Sequence, residues 1–149
     1  MFRGNYAAKV DDRGRLKIPS AFKDLLDAAK VNRFFVTSID GSKAEVWPLH
    51  KWEEREQALS RSSTLNSAVE KYITLTNYYG QEVEMDTQGR MVLPPKLRNK
   101  ADLNAEVAVS GATTHLVVQN WEAYEASVLV SQMSADELKA LDQLFKSGI

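Results

Sequence analysis

The sequence predicts a mixed α and β domain built from two similar halves, and three observations lead to this prediction. A shift of 75 residues aligns Asp11-Asp12-Arg13-Gly14-Arg15 with Asp86-Thr87-Gln88-Gly89-Arg90. Short runs rich in β-branched and aromatic residues follow both blocks in the same order, separated by Gly and Pro. Helical apolar spacing occurs between the halves and near the C-terminus. The internal repeat therefore organises the chain.

Each half is expected to open with a strand, a glycine turn and a second strand. The strands are predicted at residues 6–10 and 16–18, and again at 82–85 and 91–93. Asp followed three residues later by Gly favours a turn, because Asp can bond the backbone ahead of it and Gly accepts a positive φ. Pro19 and Pro94 then end the second strands and begin helices.

The rest of each half is predicted to be a helix, a strand, a turn and a strand. In the first helix Phe22, Leu25 and Leu26 share one face, and Pro95 begins the equivalent helix. The later strands are expected at residues 33–37, 44–47, 106–109 and 115–118, with turns at 40–42 and 110–112. The first repeat is assigned to residues 5–50 and the second to residues 79–124.

Two helical regions lie outside the repeats. The connector, residues 51–78, is predicted as helices 52–59 and 67–75 around a break at 60–63; Asn66 caps the second, in which Val69, Tyr72 and Ile73 share one face. The tail, residues 125–149, contains a capping box from Ser134 to Glu137. Its apolar stripe can pack on its own domain or on a neighbour, and we expect its own domain. The stripe is Leu138, Leu141, Leu144 and Phe145.

Composition narrows the class of protein. The 149 residues are 44% hydrophobic and include no cysteine, which argues against a disordered chain, disulfides and thiolate metal sites. No apolar run approaches the roughly 20 residues of a membrane helix, and the N-terminus lacks a signal-peptide pattern, so we expect a cytoplasmic protein. The net charge is −1, yet residues 1–35 carry +4 and residues 101–149 carry −5. This asymmetry permits a local surface for an anionic ligand, although chance could also produce it.

The repeated block is the candidate binding motif. Arg15 and Arg90 each leave a strand next to a glycine, and a guanidinium suits bidentate contact with phosphate or with guanine in the major groove. The second copy is less basic, because Gln88 and Val92 replace Arg13 and Lys17. A purely structural alternative is that Asp and Arg pair to hold the turn, and both readings can be true. The candidate DNA-binding residues are Arg15, Arg90, Arg13, Lys17, Arg3 and Lys9, and the turn-supporting residues are Asp11, Gly14, Asp86 and Gly89.

The sequence resembles the MraZ family of bacterial regulators, a double-repeat branch of the AbrB/SpoVT group. The resemblance rests on Met1-Phe2-Arg3-Gly4, both Asp-x-x-Gly-Arg blocks and the following Ile18-Pro19 and Leu93-Pro94, and covers residues 1 to about 125. It implies two pseudo-symmetric swapped-hairpin units that form one barrel-like α/β (α+β) domain. It also implies a homo-oligomeric ring on the nucleoid that binds tandem direct repeats in promoter DNA. There Arg15 and Arg90 contact double-stranded DNA without a cofactor, and the protein regulates, as a repressor, the division and cell-wall gene cluster.

Other functions find less support in the residues. An aspartic dyad of Asp11 and Asp86 would need carboxyls close enough to share a proton, and the turn differs from that of the proteases. His50 and His115 lack metal-ligand spacing, and no nucleotide-binding or serine-hydrolase motif occurs, so we expect no enzyme and no metal site. A tail that binds a toxin, as in AbrB-like antitoxins, stays open. Trp47, Trp52 and Trp121 are interpreted as core or subunit-contact residues, with base stacking as the alternative.

Overall fold

A computed structural model of the chain describes residues 1–62 and 66–147, which contain eight strands and six helices. The strands are β1 (Asn5–Lys9), β2 (Arg15–Lys17), β3 (Arg33–Thr37), β4 (Ala44–Pro48), β5 (Gln81–Glu84), β6 (Arg90–Val92), β7 (Glu106–Gly111) and β8 (Leu116–Asn120). The helices are α1 (Ser20–Ala28), α2 (Leu49–Ser60), α3 (Ser67–Tyr79), α4 (Pro95–Lys100), α5 (Trp121–Val130) and α6 (Ala135–Lys146). The mixed α and β class is confirmed.

Six strands form an antiparallel sheet in the order β1-β7-β8-β4-β3-β5. The two halves exchange their first strands, because β1 pairs with β7 of the second half and β5 pairs with β3 of the first. Strands β4 and β8 meet at the centre, where Glu45 lies opposite Val117. Neither half therefore completes its part of the sheet alone.

The barrel-like arrangement is not found as a closed barrel in the described residues, since the ladders of the six-stranded sheet stay open. Strands β1 and β5 are its edges, and no ladder joins them within residues 1–62 and 66–147. The remaining strands, β2 and β6, pair with each other as a separate antiparallel ribbon. Leu16 and Met91 of this ribbon belong to the same core as the sheet, so the ribbon covers one face of the sheet. A single bridge between Val10 and Leu16 joins it to the chain that leaves β1.

The core lies between one face of the sheet, the ribbon, and helices α1 and α4. Strand alternation sends Val36, Val46 and Val109 to this face, where all three are fully buried. Leu97 of α4 packs into the same cluster. This shared core fixes the ribbon against the sheet, which is what holds the candidate binding motif in place.

Helix α1 buries a narrower face than the sequence predicts. Phe22 and Leu26 are buried, and the ring of Phe22 meets Tyr6 edge-on at a centroid distance of 5.2 Å. Leu25 is 45% exposed, so the domain covers only part of the apolar face that the sequence predicts. The reason is the helical rotation of about 100° per residue, which turns Leu25 away from the stripe that Phe22 and Leu26 share.

Helices α2 and α3 cover the other face of the sheet at strands β3 and β4. Trp52 stacks on Phe35 at 4.8 Å and meets Trp47 at 5.7 Å between ring centroids. The hydroxyl of Thr37 donates to the backbone oxygen of Thr76 at 2.6 Å, which ties β3 to α3. Burial of Trp47 and Trp52 confirms their interpretation as core residues.

The connector follows its prediction closely. Asn66 caps α3, because its side-chain oxygen accepts the backbone N–H of Ala68 at 3.0 Å. Ile73 is 41% exposed, so the apolar face that it shares with Val69 and Tyr72 is not fully covered, and the helix turns Thr76 toward the sheet. Ser60 ends α2 rather than opening the break, and Ser63 lies outside the described residues.

The predicted turn at residues 110–112 is misplaced. Gly111 remains in β7 opposite Leu116, and its N–H donates to the backbone oxygen of Gly4 at 2.8 Å. The chain turns later, where the N–H of Ala112 donates to the oxygen of His115 at 2.9 Å. A side chain at Gly111 would meet the backbone of Phe2 at 2.4 Å, so glycine here serves close strand approach rather than a turn.

The tail forms the predicted helix but does not pack on its own domain. The capping box is present, with the N–H of Glu137 donating to Ser134 Oγ at 3.1 Å and the N–H of Ser134 donating to Glu137 Oε1 at 2.9 Å. No described residue of α6 is buried, and Phe145 is 71% exposed. The expectation of own-domain packing is wrong because the chain is extended at Ser131 and α6 does not return to the sheet. Residues 148–149 of the tail lie outside the described residues.

Candidate nucleic-acid interface

The β2–β6 ribbon carries three basic side chains on its outer face. Its register is Arg15 opposite Val92, Leu16 opposite Met91, and Lys17 opposite Arg90. Directly opposite residues project to the same face of an antiparallel pair, and neighbours along a strand project to opposite faces. Because Leu16 and Met91 point into the core, Arg15, Lys17 and Arg90 stand together on the outer face beside Val92.

The first loop holds Arg15 through the carboxylate of Asp11. Asp11 Oδ1 accepts the backbone N–H groups of Arg13 at 3.0 Å and Arg15 at 2.9 Å, and Oδ2 accepts Arg15 Nε at 2.7 Å. The backbone N–H of Gly14 donates to the oxygen of Asp11 at 3.0 Å, with Gly14 at a φ of +76°. The backbone N–H of Arg15, above all, lowers the pKa of Asp11. The structural pairing considered for this loop is therefore present, and it orients the arginine.

The second loop repeats the backbone but not the ion pair. Asp86 Oδ1 accepts the backbone N–H groups of Gln88 and Arg90, both at 2.9 Å, and Gly89 has a φ of +80°. Arg90 Nη2 donates to Gln88 Oε1, and no salt bridge joins Arg90 to Asp86 in the described part of the chain. The backbone N–H of Arg90 lowers the pKa of Asp86. Gln88 therefore orients the second arginine, although by sequence it appears only as a neutral replacement for the cation at Arg13.

The two carboxylates do not behave as a catalytic dyad. A shared proton would raise the pKa of one carboxyl. In this structure the pKa values of both Asp11 and Asp86 are lowered by hydrogen bonds within their own loops. Both groups are therefore ionised turn supports at neutral pH.

Reciprocal hydrogen bonds fix the two loops to each other. The N–H of Ile18 donates to the backbone oxygen of Gly89 at 2.8 Å, and the N–H of Leu93 donates to that of Gly14 at 2.9 Å. Each loop glycine thus bonds the strand end of the opposite half. The separation of Arg15 and Arg90 is set by these bonds and the ribbon, so the two arginines form one rigid surface.

A cation from the opposite half packs on each loop glycine, and sequence reasoning missed both. A Cβ on Gly14 would lie 1.2 Å from Nη1 of Arg98, so the Arg98 guanidinium covers that glycine. A Cβ on Gly89 would lie 2.7 Å from Cδ of Lys23. The 75-residue shift does align Lys23 with Arg98, which is the one sequence signal that could have pointed to them.

The other predicted DNA-binding residues lie at different distances from the ribbon. Arg13 is exposed within the first loop, and Lys9 is exposed at the end of β1 that leads into this loop. Arg3 precedes the opposite end of β1, where its backbone lies beside Gly111. The structure therefore brings Arg13 and Lys9 close to the loop with Arg15, and it does not bring Arg3 there.

The histidine in the second half belongs to an aromatic cluster. His115 stacks on Trp47 with ring centroids 3.8 Å apart, and Arg55 lies 4.5 Å from the Trp47 ring. Burial is the main cause that lowers the pKa of His115, with Arg55 adding to the effect and Glu45 opposing it.

No group of three metal-ligating side chains occurs among residues 1–62 and 66–147. Across those same residues, every helix is too short or too polar to span a bilayer.

Comparison with known proteins gives the family to which this chain is similar. Residues 1–72 and 80–145 match a family model described as "MraZ protein, putative antitoxin-like". A protein of Acidobacterium capsulatum called "Transcriptional regulator MraZ" is 44% identical over 95% of this chain and 97% of its own length. One of the same name from Koribacter versatilis is 41% identical over 97% of this chain and 99% of its own length. A third, from Thiobacillus denitrificans, is 33% identical over 87% of this chain and 89% of its own length.

Proposed function

The chain belongs to the MraZ family, and on this basis we propose that it is a DNA-binding transcriptional regulator that contacts promoter DNA through the β2–β6 ribbon. The family is one of regulators and not of enzymes. The observation that carries the proposal is the outer ribbon face, where Arg15, Lys17 and Arg90 stand together and Asp11 orients Arg15 from the adjoining loop.

The dimensions of the ribbon suit a DNA groove. Paired strands lie about 4.8 Å apart, and the major groove is about 12 Å wide and admits a two-stranded ribbon. The fork of an arginine can bind guanine O6 and N7 together, which a lysine cannot do. Arg15 and Arg90 therefore read bases, and the fixed distance between them limits which bases are read together.

The remaining cations position the ribbon on the duplex. Arg13 and Lys17 flank Arg15 and contact phosphates, whose binding supplies affinity without sequence information. Lys9 extends this contact along the strand that enters the loop, and Arg3 contacts DNA at the far end of β1. Asp11 and Gln88 orient the side chains of Arg15 and Arg90 before DNA binds, which reduces the conformational entropy that these side chains lose on binding.

We also propose that the two halves are swapped-hairpin units of the AbrB/SpoVT kind, related by an approximate two-fold axis. The exchange of β1 and β5 between halves supports this relation. The reciprocal bonds at Gly14 and Gly89 support it as well. Such a relation presents two similar loops to one face of the DNA.

The regulated genes are the division and cell-wall cluster, and the protein represses them from tandem direct repeats in the promoter. A homo-oligomeric ring in the cytoplasm, on the nucleoid, places several ribbons on successive repeats, and this multiplies weak contacts through effective concentration. The ring also explains how a protein with a net charge of −1 binds DNA, because it brings the basic N-terminal regions together while the acidic C-terminal regions point elsewhere. The exposed apolar side chains of the tail suit contacts between subunits. They are Val128, Leu129, Val130, Met133, Leu138, Leu141, Leu144 and Phe145.

The test is a mobility shift with DNA from upstream of the protein's own gene, beside the same DNA with scrambled repeats. The wild type should shift the natural DNA alone. Arg15→Ala should abolish the shift and keep the native mass, and Arg90→Ala should weaken it. Normal binding by folded Arg15→Ala would refute the site, and a neutral Arg90→Ala would limit the second loop to a structural role.

A second function, capture of a toxin by the tail, is favoured by the apolar stripe that α6 leaves exposed. Limited proteolysis separates the two functions. A tail that joins subunits should resist protease in the purified protein, whereas a tail that awaits a toxin should be cut first.

A further inference from the structure

We propose that Arg98 is a DNA-contacting residue of the first loop, donated by helix α4 of the second half. Its guanidinium binds a backbone phosphate next to the base pair that Arg15 reads. This inference rests on the proposed function, since it adds a contact to the same interface. It makes the first loop a composite of both halves.

The packing at Gly14 places Arg98 in the loop. The position that a Cβ would occupy on Gly14 is 1.2 Å from Nη1 of Arg98 and 2.5 Å from its Cζ. Glycine therefore has two purposes at this position: it accepts a φ of +76° and it leaves room for the guanidinium. Because Gly14 directly precedes Arg15, the Arg98 guanidinium packs against the backbone next to the residue that carries the other guanidinium.

The charge of Arg98 is available for a ligand. It forms no salt bridge with any residue in 1–62 or 66–147. Lys23, its counterpart at Gly89, donates instead to Asp27 Oδ2 at 2.6 Å. The first loop thus receives an uncompensated cation from the opposite half, whereas the second receives a neutralised one.

The hydrogen bonding of Arg98 also points away from a structural role. Its Nε is buried and has no hydrogen-bond partner in the described part of the chain. A buried donor without a partner costs stability. A purely structural role therefore does not explain why an arginine stands at this position, and we expect an unbranched apolar side chain to be tolerated there.

These observations make the two loops unequal in a defined way. The first loop combines the base-reading Arg15 with phosphate contacts from both halves, so it should dominate the salt dependence of binding. The second loop reads a base through Arg90 with Lys17 beside it. The two loops therefore differ because of the cations that the opposite half places on them, Arg98 and Lys23, as well as because of their own sequences.

The test compares Arg98→Met, Arg98→Lys and the wild type on a duplex from upstream of the protein's own gene. Lys100→Met is the matched control, because it removes the same charge from the same helix, where Lys100 packs against Gly41. Each phosphate contact contributes a slope of about −0.9 to log K against log salt, so losing one reduces the affinity ratio between 50 and 200 mM salt about 3.5-fold. We expect this loss in Arg98→Met alone, with a melting temperature at or above that of the wild type.

Three outcomes would overturn the inference. The first is wild-type salt dependence in folded Arg98→Met. The second is an equal loss in Arg98→Lys, which would assign the effect to guanidinium packing and not to charge. The third is a lowered melting temperature in Arg98→Met, which would make Arg98 structural. Absence of binding by the wild type would instead refute the proposed function itself.

Discussion

Substitution of Gly14 by alanine should damage the first loop in two separable ways. Gly14 has a φ of +76°, and the left-handed conformation costs an ordinary residue about 1–2 kcal/mol. For a chain of this size each 1 kcal/mol lowers the melting temperature by about 2–4 °C, so Gly14→Ala should melt about 2–8 °C lower. The new Cβ would also coincide with Nη1 of Arg98 and drive that side chain off the loop.

DNA binding by Gly14→Ala should fall further than the stability loss explains. Gly14 directly precedes Arg15, so the distorted loop should also misplace the Arg15 guanidinium. Losing its bidentate base contact is worth about 1–3 kcal/mol, so we expect affinity for the upstream DNA to fall about 5- to 150-fold. Gly41→Ala is the matched control, because Gly41 has a φ of +79° and its Cβ would meet Lys100 Cγ at 2.6 Å, away from the ribbon. It should melt lower by a similar amount and bind DNA normally.

The assay is a thermal melt together with a mobility shift on both variants, below the lower melting temperature. Equal DNA affinity in the two variants would refute the account, because it would show that the Gly14 loop matters only for stability. A wild-type melting temperature in Gly14→Ala would refute the assigned backbone conformation. The two readouts therefore test the fold and the interface independently.

Further predictions concern the carboxylates, the core and the charge of the interface. Asp11→Asn should weaken DNA binding more than Asp86→Asn, because Asp11 holds the side chain of Arg15 whereas Gln88 holds the second arginine; equal effects would contradict this. Both lowered carboxylate pKa values give stability that is present above the ordinary value of 3.8 and lost as pH falls through the folded values. Melting curves between pH 5 and about 2 should show that loss, and it should shrink in the double Asn variant. Phe22→Ala should lower the free energy of unfolding by about 3–5 kcal/mol in denaturant titration, and less than 1 kcal/mol would contradict its core position. Wild-type affinity should fall with a slope of about −0.9 per phosphate contact, and a slope near zero would contradict electrostatic binding.

The features that the sequence predicts correctly are local. The hydrogen bonds of the Asp11 loop join residues no more than four positions apart, and the same holds for the caps at Asn66 and Ser134. Side-chain chemistry and backbone preference decide such structures without help from the rest of the chain. They can therefore be read from residue type and spacing.

The features that the sequence leaves open depend on pairing between distant segments. By sequence the second loop has few basic residues, yet the register of the ribbon places Lys17 directly opposite Arg90. Arg98 reaches Gly14 for the same reason, since the strand ends of one half bond the loop of the other. No local pattern encodes these contacts, although the repeat itself hints that the halves meet.

The tail shows a different limit. An apolar stripe such as that of α6 indicates that something covers it, but the stripe alone does not say what. The expectation of own-domain packing assumed that the nearest surface is the partner, and Leu138 and Phe145 are exposed instead. Closure of a barrel likewise depends on pairing between distant strands, and β2 and β6 form their ladder with each other.

The most direct test of the central claim is methylation interference on wild-type protein bound to its upstream DNA. Guanine N7 faces the major groove, so a ribbon that reads bases there through Arg15 and Arg90 should be blocked by N7 methylation within each repeat. We expect strong interference at one or two guanines per repeat and none in the flanking DNA. Binding that is indifferent to N7 methylation would contradict the claim that this ribbon reads the major groove.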